Sequence, residues 1–311
     1  MNIKNCRICE HEITRQITIR EMQLGLREDF SYGVCSHCGC IQIMEVPAQI
    51  EKYYPAYYAP FNKKAPLLRK LTLFKRWVKN IRVRRKYKQG SNLVLNYLGP
   101  INISTDARIL DIGCGNGVLI CNLYNQGFYH VEGVDRFIPQ EINYGHGVKV
   151  VKKDLSEFKS KNYDVLMMHH VLEHIENQAG VLKECHRLLK DDGRLLIRVP
   201  ILGEAYKIYS ENWVQLDAPR HFFIHTLMSM NILAQKTGFR VHQVVFDSGS
   251  FQFTGSEMYK RDIPLYDPIS QKPNAVEQYF SKEEIDDFEK QAEKLNENGT
   301  GDQAMFYLTK V

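Results

Sequence analysis

The sequence predicts an α/β fold: a mostly parallel sheet covered by helices on both faces, with a small β lobe ahead of it. Three observations carry this. From about Ser91 to Ser248, short apolar β-type runs alternate with helical runs, the pattern of parallel strands joined by crossover helices. The first of these strands runs into a glycine-rich turn, Gly113, Gly115 and Gly117, that opens a helix. Five of the eight cysteines fall within the first 40 residues, four of them as two C-x-x-C pairs.

Taken in order, residues 107–113 (ARILDIG) read as a buried strand, and Val118 to Gln126 as a helix stopped by Gly127. Strands follow at 130–135, 148–154 and 163–170. The segment FIPQEINYGHG between Asp135 and Val148 leaves little room for a full crossover helix. Gln178 to Lys190 places Val181, Leu182, Leu188 and Leu189 on one helical face. The turn DDG at 191–193 leads to a strand at 193–200. A helix over Leu227 to Thr237 ends at Gly238, and 239–248 is the next strand. A polar helix from Lys282 to Asn296 precedes a final strand, 304–311, expected at the far end of the sheet. The aromatic run from Ser250 to Tyr259 is expected to pack on the core.

Composition bounds the setting. The chain has 311 residues, 44% hydrophobic and 25% charged, ordinary for a globular protein. No apolar run approaches the roughly 18 residues of a membrane span. The opening MNIKNCRICEHE does not read as a secretory signal, so the expected location is cytoplasmic, with peripheral contact at the inner face of the membrane as an option. Net charge is +5, yet the stretch from Lys52 to Thr105 carries thirteen Lys or Arg and no acid, leaving the remainder at −8. A basic segment between acidic neighbours points to a local anionic partner.

The glycine turn is the most informative motif. Glycine adopts positive φ without steric cost, and its missing Cβ lets a ligand lie against the backbone. The helix behind it aims free N–H groups and a positive dipole end at the same crevice. Asp135, 18 residues past Gly117, ends the next strand, where a carboxylate can accept from both ribose hydroxyls of a nucleoside. Nicotinamide and flavin sites carry G-x-G-x-x-G around a pyrophosphate. Here the spacing is G-x-G-x-G, with Asp111 two residues ahead. An acidic strand end suits the sulfonium and ammonium of S-adenosylmethionine.

On these residues the segment from Ser91 to Ser248 resembles a class I S-adenosylmethionine-dependent methyltransferase. ILDIGCGNG is similar to that family's first motif and VEGVD to its second. YDVLMMHHVLEHI followed by LKECHRLLKDDGRLLIRVP is similar to its fourth and fifth strands with the helix between. The resemblance implies a Rossmann-like sheet of seven strands, the last antiparallel. It also implies cofactor contacts from Asp111, Gly113, Gly115, Gly117 and Asp135, and from Asp154 near the adenine amino group.

Cys6, Cys9, Cys35 and Cys38 form the two C-x-x-C pairs, 25 residues apart. Two such pairs can converge on one tetrahedral Zn²⁺, and a metal would stabilise a lobe too small for much core. A zinc-ribbon-like lobe over 1–46 is the reading; two redox pairs or buried free thiols are the alternatives, and Cys40, His11 and His37 are spare ligands. Residues 47–90 form a linker in which Leu67, Leu71, Phe74, Val78 and Ile81 recur at helical spacing opposite Lys and Arg. Such a helix packs on the core, meets an anionic membrane surface or contacts nucleic-acid phosphates. Residues 91–311 form the methyltransferase domain, with insertions at 201–226 and 249–303. A zinc-ribbon lobe ahead of this core resembles enzymes that methylate sugars or glycan precursors in bacterial surface-polysaccharide pathways.

Chemistry in such folds sits past the carboxyl ends of the strands. His169, His170, Glu173 and His174 follow the fourth strand, and the insertion carries Trp213, Asp217, Arg220 and His221, similar to a W-x-x-x-D-x-P-R-H segment of glycan-pathway methyltransferases. A hydroxyl acceptor must lose a proton, and imidazole is the usual base near neutrality. His221 is the first candidate base and His170 the second. Asp217, Arg220 and Trp213 are candidates to hold a polar acceptor, and His169 to shape the cofactor pocket. Glu173 and His174 resemble the Glu-His of a metal-assisted motif in quinone O-methyltransferases, but that motif begins with Glu where this chain has His170, so they are taken as structural.

The expected function is methyl transfer to a small polar acceptor, a sugar or glycan-precursor hydroxyl, with C-methylation as a variant. An RNA methyltransferase is the rival, weakened by the lack of an N-P-P-Y segment or a Pro-Cys nucleophile. A non-catalytic scaffold is the third reading, and nucleic acid is not the expected partner.

Overall fold

The structure, a computed structural model, describes residues 4–55, 57, 64–68, 93–159 and 162–311. The basic amphipathic segment expected of the linker lies, from residue 69 onward, outside them. Strands β1 (Ile13–Arg20), β2 (Asp29–Cys35) and β3 (Ile41–Ile43) open the chain. Then come α1 (Leu93–Leu98), β4 (Arg108–Ile112), α2 (Val118–Gln126), β5 (His130–Val134), β6 (Ile142–Gly145), β7 (Val148–Val151) and β8 (Tyr163–His169). The remainder comprises α3 (Gln178–Leu188), β9 (Leu189–Pro200), α4 (Glu204–Tyr209), β10 (Phe223–Ile224), α5 (Leu227–Lys236), β11 (Phe239–Phe246), α6 (Phe251–Lys260), α7 (Lys282–Glu297) and β12 (Gln303–Lys310).

The large sheet has the order β11-β12-β9-β8-β4-β5-β7-β6. Strands β7, β5, β4, β8 and β9 are parallel, and β12 runs antiparallel to both β9 and β11. Val165, Leu166, Met167 and Met168 of β8 are all buried, as a strand covered on both faces requires. This is the Rossmann-like methyltransferase fold the sequence predicts, with three differences. The crossover between β5 and β7 holds no helix. Its residues instead make β6, an eighth strand, antiparallel to β7 through a turn with positive φ at Gly145, His146 and Gly147, the left-handed geometry that tight hairpins use. The final strand is not at the sheet's far end. It lies between β9 and β11 because seven of its eight residues are buried, which an edge position would not provide. The expected DDG turn lies within β9 as an irregularity, between the pairings Tyr163 with Leu189 and Val165 with Arg194.

The N-terminal strands form a second, antiparallel sheet ordered β1-β2-β3-β10. Its fourth strand comes from the insertion after β9, where Phe223 pairs with Gln42 and Ile224 with Ile41. Arg7 lies 4.4 Å over the Phe223 ring, Tyr32 Oη donates to the His221 carbonyl at 2.9 Å, and Thr226 Oγ1 donates to the Cys38 carbonyl at 2.6 Å. Cys6, Ile8 and Ile41 share one apolar core with Leu182, Leu216 and Phe223. The unforeseen helix α6 buries Phe253, Met258 and Tyr259, so the aromatic run after β11 packs inward. Among the described residues no helix is long and apolar enough to cross a membrane.

Candidate active site

The turn after β4 is built by its glycines. Gly113, Gly115 and Gly117 have φ of 68°, 51° and 71°. A Cβ on Gly113 would stand 2.5 Å from Val171 Cγ2, and one on Gly117 2.7 Å from Val150 Cγ2, so both positions exclude a side chain on space as well as on conformation. Gly117 caps α2. Asp135, at the end of β5, accepts from the Gly115 N–H at 2.9 Å and the Phe137 N–H at 2.8 Å. Each carboxylate oxygen therefore keeps acceptor capacity for a ligand. Asp111 is buried beneath the turn, its carboxyl pushed up to about 8, first by burial and then by the charge of Asp135. Asp154 follows β7 and lies 3.6 Å from Arg136, the residue after Asp135. These contacts bring the Gly113–Gly117 turn, Asp111, Asp135 and Asp154 together past the carboxyl ends of β4, β5 and β7.

Next to the turn, where Val171 lies against Gly113, stand the ends of β8, β9 and β11. His169 is half-buried, with Nε2 enclosed and lacking a hydrogen-bond partner among the described residues and its ring 4.6 Å from Tyr97. Burial, with Arg198 and His170 adding to it, pushes its pKa down to about 3. His170 departs from its expected use as a base. Arg198 donates to His170 Nε2 at 2.6 Å, so Nδ1 carries the proton and meets Glu173 Oε1 at 3.2 Å. Its lone pair is already taken by a guanidinium. Arg198 also donates to Asp247 Oδ2 at 2.6 Å, completing a chain Asp247–Arg198–His170–Glu173. Arg198 and Asp247 were missed at the sequence level, although an Arg inside the apolar run LLIRVP was a usable signal.

The insertion corrects a second expectation. Trp213 is fully buried and its Nε1–H donates to Asp302 Oδ2 at 2.9 Å. Arg220, also fully buried, donates to Asp217 Oδ1 at 3.0 Å, to the Tyr53 carbonyl at 3.2 Å and to Glu21 Oε1 at 3.1 Å. Burial alone would raise Asp217, but Arg220 and His221 hold it below the usual carboxylate range. Of these three side chains, expected to hold an acceptor, Arg220 with its partner Asp217 ties the insertion to Glu21 of the N-terminal lobe, and Trp213 ties it to Asp302 ahead of β12. A buried guanidinium needs such partners.

His221, buried, lies at the end of that network. Its Nδ1–H donates to the Gln215 carbonyl at 2.8 Å, leaving the Nε2 lone pair free to face inward, 3.6 Å from Asp217 Oδ2. His174 is arranged alike, with Nδ1–H donating to the Arg220 carbonyl at 2.8 Å. The two rings are 4.8 Å apart. Glu173 is buried between them. Burial opposes its charge, but the His170 hydrogen bond and the neighbouring imidazoles hold its pKa down to about 2. Its Oε2 is buried with no partner.

The four cysteines converge at the tip of the N-terminal lobe. Their sulfurs lie within 4.8 Å of one another, with Cys6 and Cys38 Sγ at 3.7 Å and Cys9 and Cys35 Sγ at 3.4 Å. Ligand sulfurs about 2.3 Å from one tetrahedral Zn²⁺ stand roughly 3.8 Å apart, so the set fits that ion. The Ile8 N–H points at Cys6 Sγ at 3.4 Å. Of the spare ligands, Cys40 sits beside Cys6 with its Sγ pointing to the Ile41 carbonyl, and His11 and His37 stack on each other at 3.8 Å.

Comparison with known proteins gives this geometry its family. A family profile described as Methyltransferase domain matches residues 82–244, just over half of the chain. The ubiquinone biosynthesis O-methyltransferase of Maricaulis maris is 33% identical over 129 residues, 36% of this chain and 49% of its own length. That of Rickettsia bellii is 29% identical over 155 residues, 41% of this chain and 64% of its own. The chain spans about half the length of the curated relatives it matches. A solved S-adenosylmethionine-dependent methyltransferase from Archaeoglobus fulgidus is similar at 21% identity, covering 76% of this chain and 94% of that one, with a TM-score of 0.42. The chain belongs to the methyltransferase domain family.

Proposed function

We propose that the protein transfers a methyl group from S-adenosylmethionine to a hydroxyl of a small polar acceptor, a sugar or glycan precursor. The observation that carries the reading is the Gly113–Gly117 turn, with Asp135 accepting from the Gly115 N–H beside it and Val171, just after β8, lying against Gly113. Asp135 offers acceptors to a ribose, Asp111 a carboxyl to the cationic end of the cofactor, and the α2 N-terminus its donors to a carboxylate. The Glu173–His174–His221 cluster is assigned the acceptor's proton, since its imidazole lone pairs are the ones left free at that end. The Cys6, Cys9, Cys35 and Cys38 set holds a structural Zn²⁺ in this reading, and the basic linker meets an anionic membrane surface where lipid-linked precursors reside. A phenolic hydroxyl is the second reading, favoured by the ubiquinone-pathway names of the relatives.

The test is calorimetric titration of the full chain with S-adenosylhomocysteine, followed by turnover assays on sugar nucleotides, lipid-linked saccharides and catechols. Micromolar binding with methylation of a saccharide supports the first reading, and methylation of catechols only supports the second. No binding by folded protein overturns both.

A further inference from the structure

We propose that Arg198 and Asp247 form a subsite that holds two adjacent hydroxyls of the acceptor, on the β9 side of the β8 end. Arg198 lies in a strand whose residues Leu195, Leu196, Ile197 and Val199 are buried, where a charge is costly unless it is paired. Two partners hold it in place. Its Nε–H donates to Asp247 Oδ2 at 2.6 Å, and Nη1 donates to His170 Nε2 at 2.6 Å. Nη2 has no partner among the described residues. Asp247 is fixed from its other side, where Gln303 Nε2 donates to its Oδ1 at 3.2 Å and to its carbonyl at 3.1 Å. The pair is anchored yet open: the Arg198 and Asp247 side chains keep 18% and 22% of their surface exposed. Half-buried Tyr97 walls it, its ring 5.7 Å from the guanidinium carbon and 4.6 Å from the His169 ring. His169 Nε2, enclosed and partnerless, adds a polar atom that a ligand can satisfy.

Position favours the acceptor over the cofactor. β9 lies two strands from β4, which carries the glycine turn, with β8 between them, a span of roughly 10 Å across the sheet. Charge favours a neutral ligand. Asp247 neutralises the guanidinium and Glu173 follows through His170, so a phosphate or carboxylate would meet acids without a spare cation. A hydroxyl both donates and accepts. Of two on adjacent carbons, one takes the Nη2–H of Arg198 and the other donates to a spare lone pair of Asp247. The subsite rests on the proposed methyl transfer and narrows its acceptor to a vicinal diol, carried by a saccharide or by a catechol.

The experiment gives the full chain S-adenosylmethionine with sugar nucleotides, lipid-linked saccharides and catechol, and with the monodeoxy or monohydroxy counterpart of each. The expected result is turnover of a diol with a KM at least about tenfold below that of its counterpart. Arg198→Lys and Asp247→Asn raise the KM for the diol at least about tenfold and shrink its preference over the counterpart. The KM for S-adenosylmethionine stays within about twofold. Both substitutions conserve size or charge, and unchanged melting and S-adenosylhomocysteine affinity show that the variants fold. Which diols turn over tells saccharide from catechol. Equal use of diol and counterpart, folded variants with the parent's preference, or no turnover of any diol by a chain that binds S-adenosylhomocysteine overturns the subsite and leaves the cofactor reading standing. Absence of S-adenosylhomocysteine binding overturns both together.

Discussion

The backbone N–H of Gly115 donates to Oδ2 of Asp135 at 2.9 Å, so the turn after β4 and the end of β5 form one unit before any ligand arrives. Asp135→Ala removes both this tether and the acceptor proposed for a ribose. Losing a hydrogen bond to a charged partner costs about 1.5–3 kcal/mol, so S-adenosylhomocysteine affinity is expected to drop roughly tenfold to a hundredfold. Asp135→Asn retains one acceptor oxygen and should lose less. Calorimetry on the three proteins checks the ranking, and equal affinities would refute it.

Asp111 predicts a trade between stability and binding. Its folded carboxyl is raised from 3.8 to about 8, so the native state holds the proton more tightly than the unfolded chain. That contribution to stability is complete below about pH 4 and is lost as pH climbs toward 8. Asp111→Asn should therefore be more stable than the parent at pH 8, by on the order of a few kcal/mol, with little gain at pH 4. A cationic cofactor favours the ionised carboxylate, so binding below pH 8 should release a proton. Titrations in buffers of different ionisation enthalpy measure that release, which the Asn variant should lack.

Asp302 gives a second pH test with the same sign. Burial raises its carboxyl to about 6, against the lowering effect of the Trp213 and Ser248 hydrogen bonds. Stability from this group is present below the unfolded value of 3.8 and disappears as pH rises through about 6. The melting temperature of Asp302→Asn minus that of the parent should be larger at pH 7.5 than at pH 4. A difference independent of pH would contradict the assignment.

Removing the metal proposed for the cysteine set should damage more than the first lobe. Cys35→Ser, or exhaustive chelation, should loosen β1 to β3 and, through the β3–β10 pairing, the insertion that carries Arg220 and His221. Hydrogen exchange should show faster amide exchange at 41–43 and 223–224 together, with the β4–β5 region unaffected. Release confined to residues 1–46 would show that the pairing transmits nothing.

The glycine turn and its acid were legible because their demands are local. Positive φ at Gly113, Gly115 and Gly117 and an acid at the next strand end are written within 25 residues of sequence. The acceptor side depends on contacts that no periodicity encodes. His170 reads as a free base until Arg198, 28 residues later, is seen to occupy its Nε2. Arg220 reads as a substrate clamp until Glu21, 199 residues earlier, is found in its grip. Exposed and buried arginines look alike in a string of letters, and only the fold tells which charge is already neutralised. The β6 hairpin was half legible: glycines at 145 and 147 denied a helix, but the polar alternation INYG gave no firm strand.

The strand pairing between β3 and β10 has an evolutionary corollary. Segments 41–43 and 223–224 are distant in the gene yet adjacent in one sheet, so recombination that imports the cysteine-bearing lobe alone leaves β3 an open edge. A viable transplant must carry the segment after β9 with it, and the two should be gained or lost together.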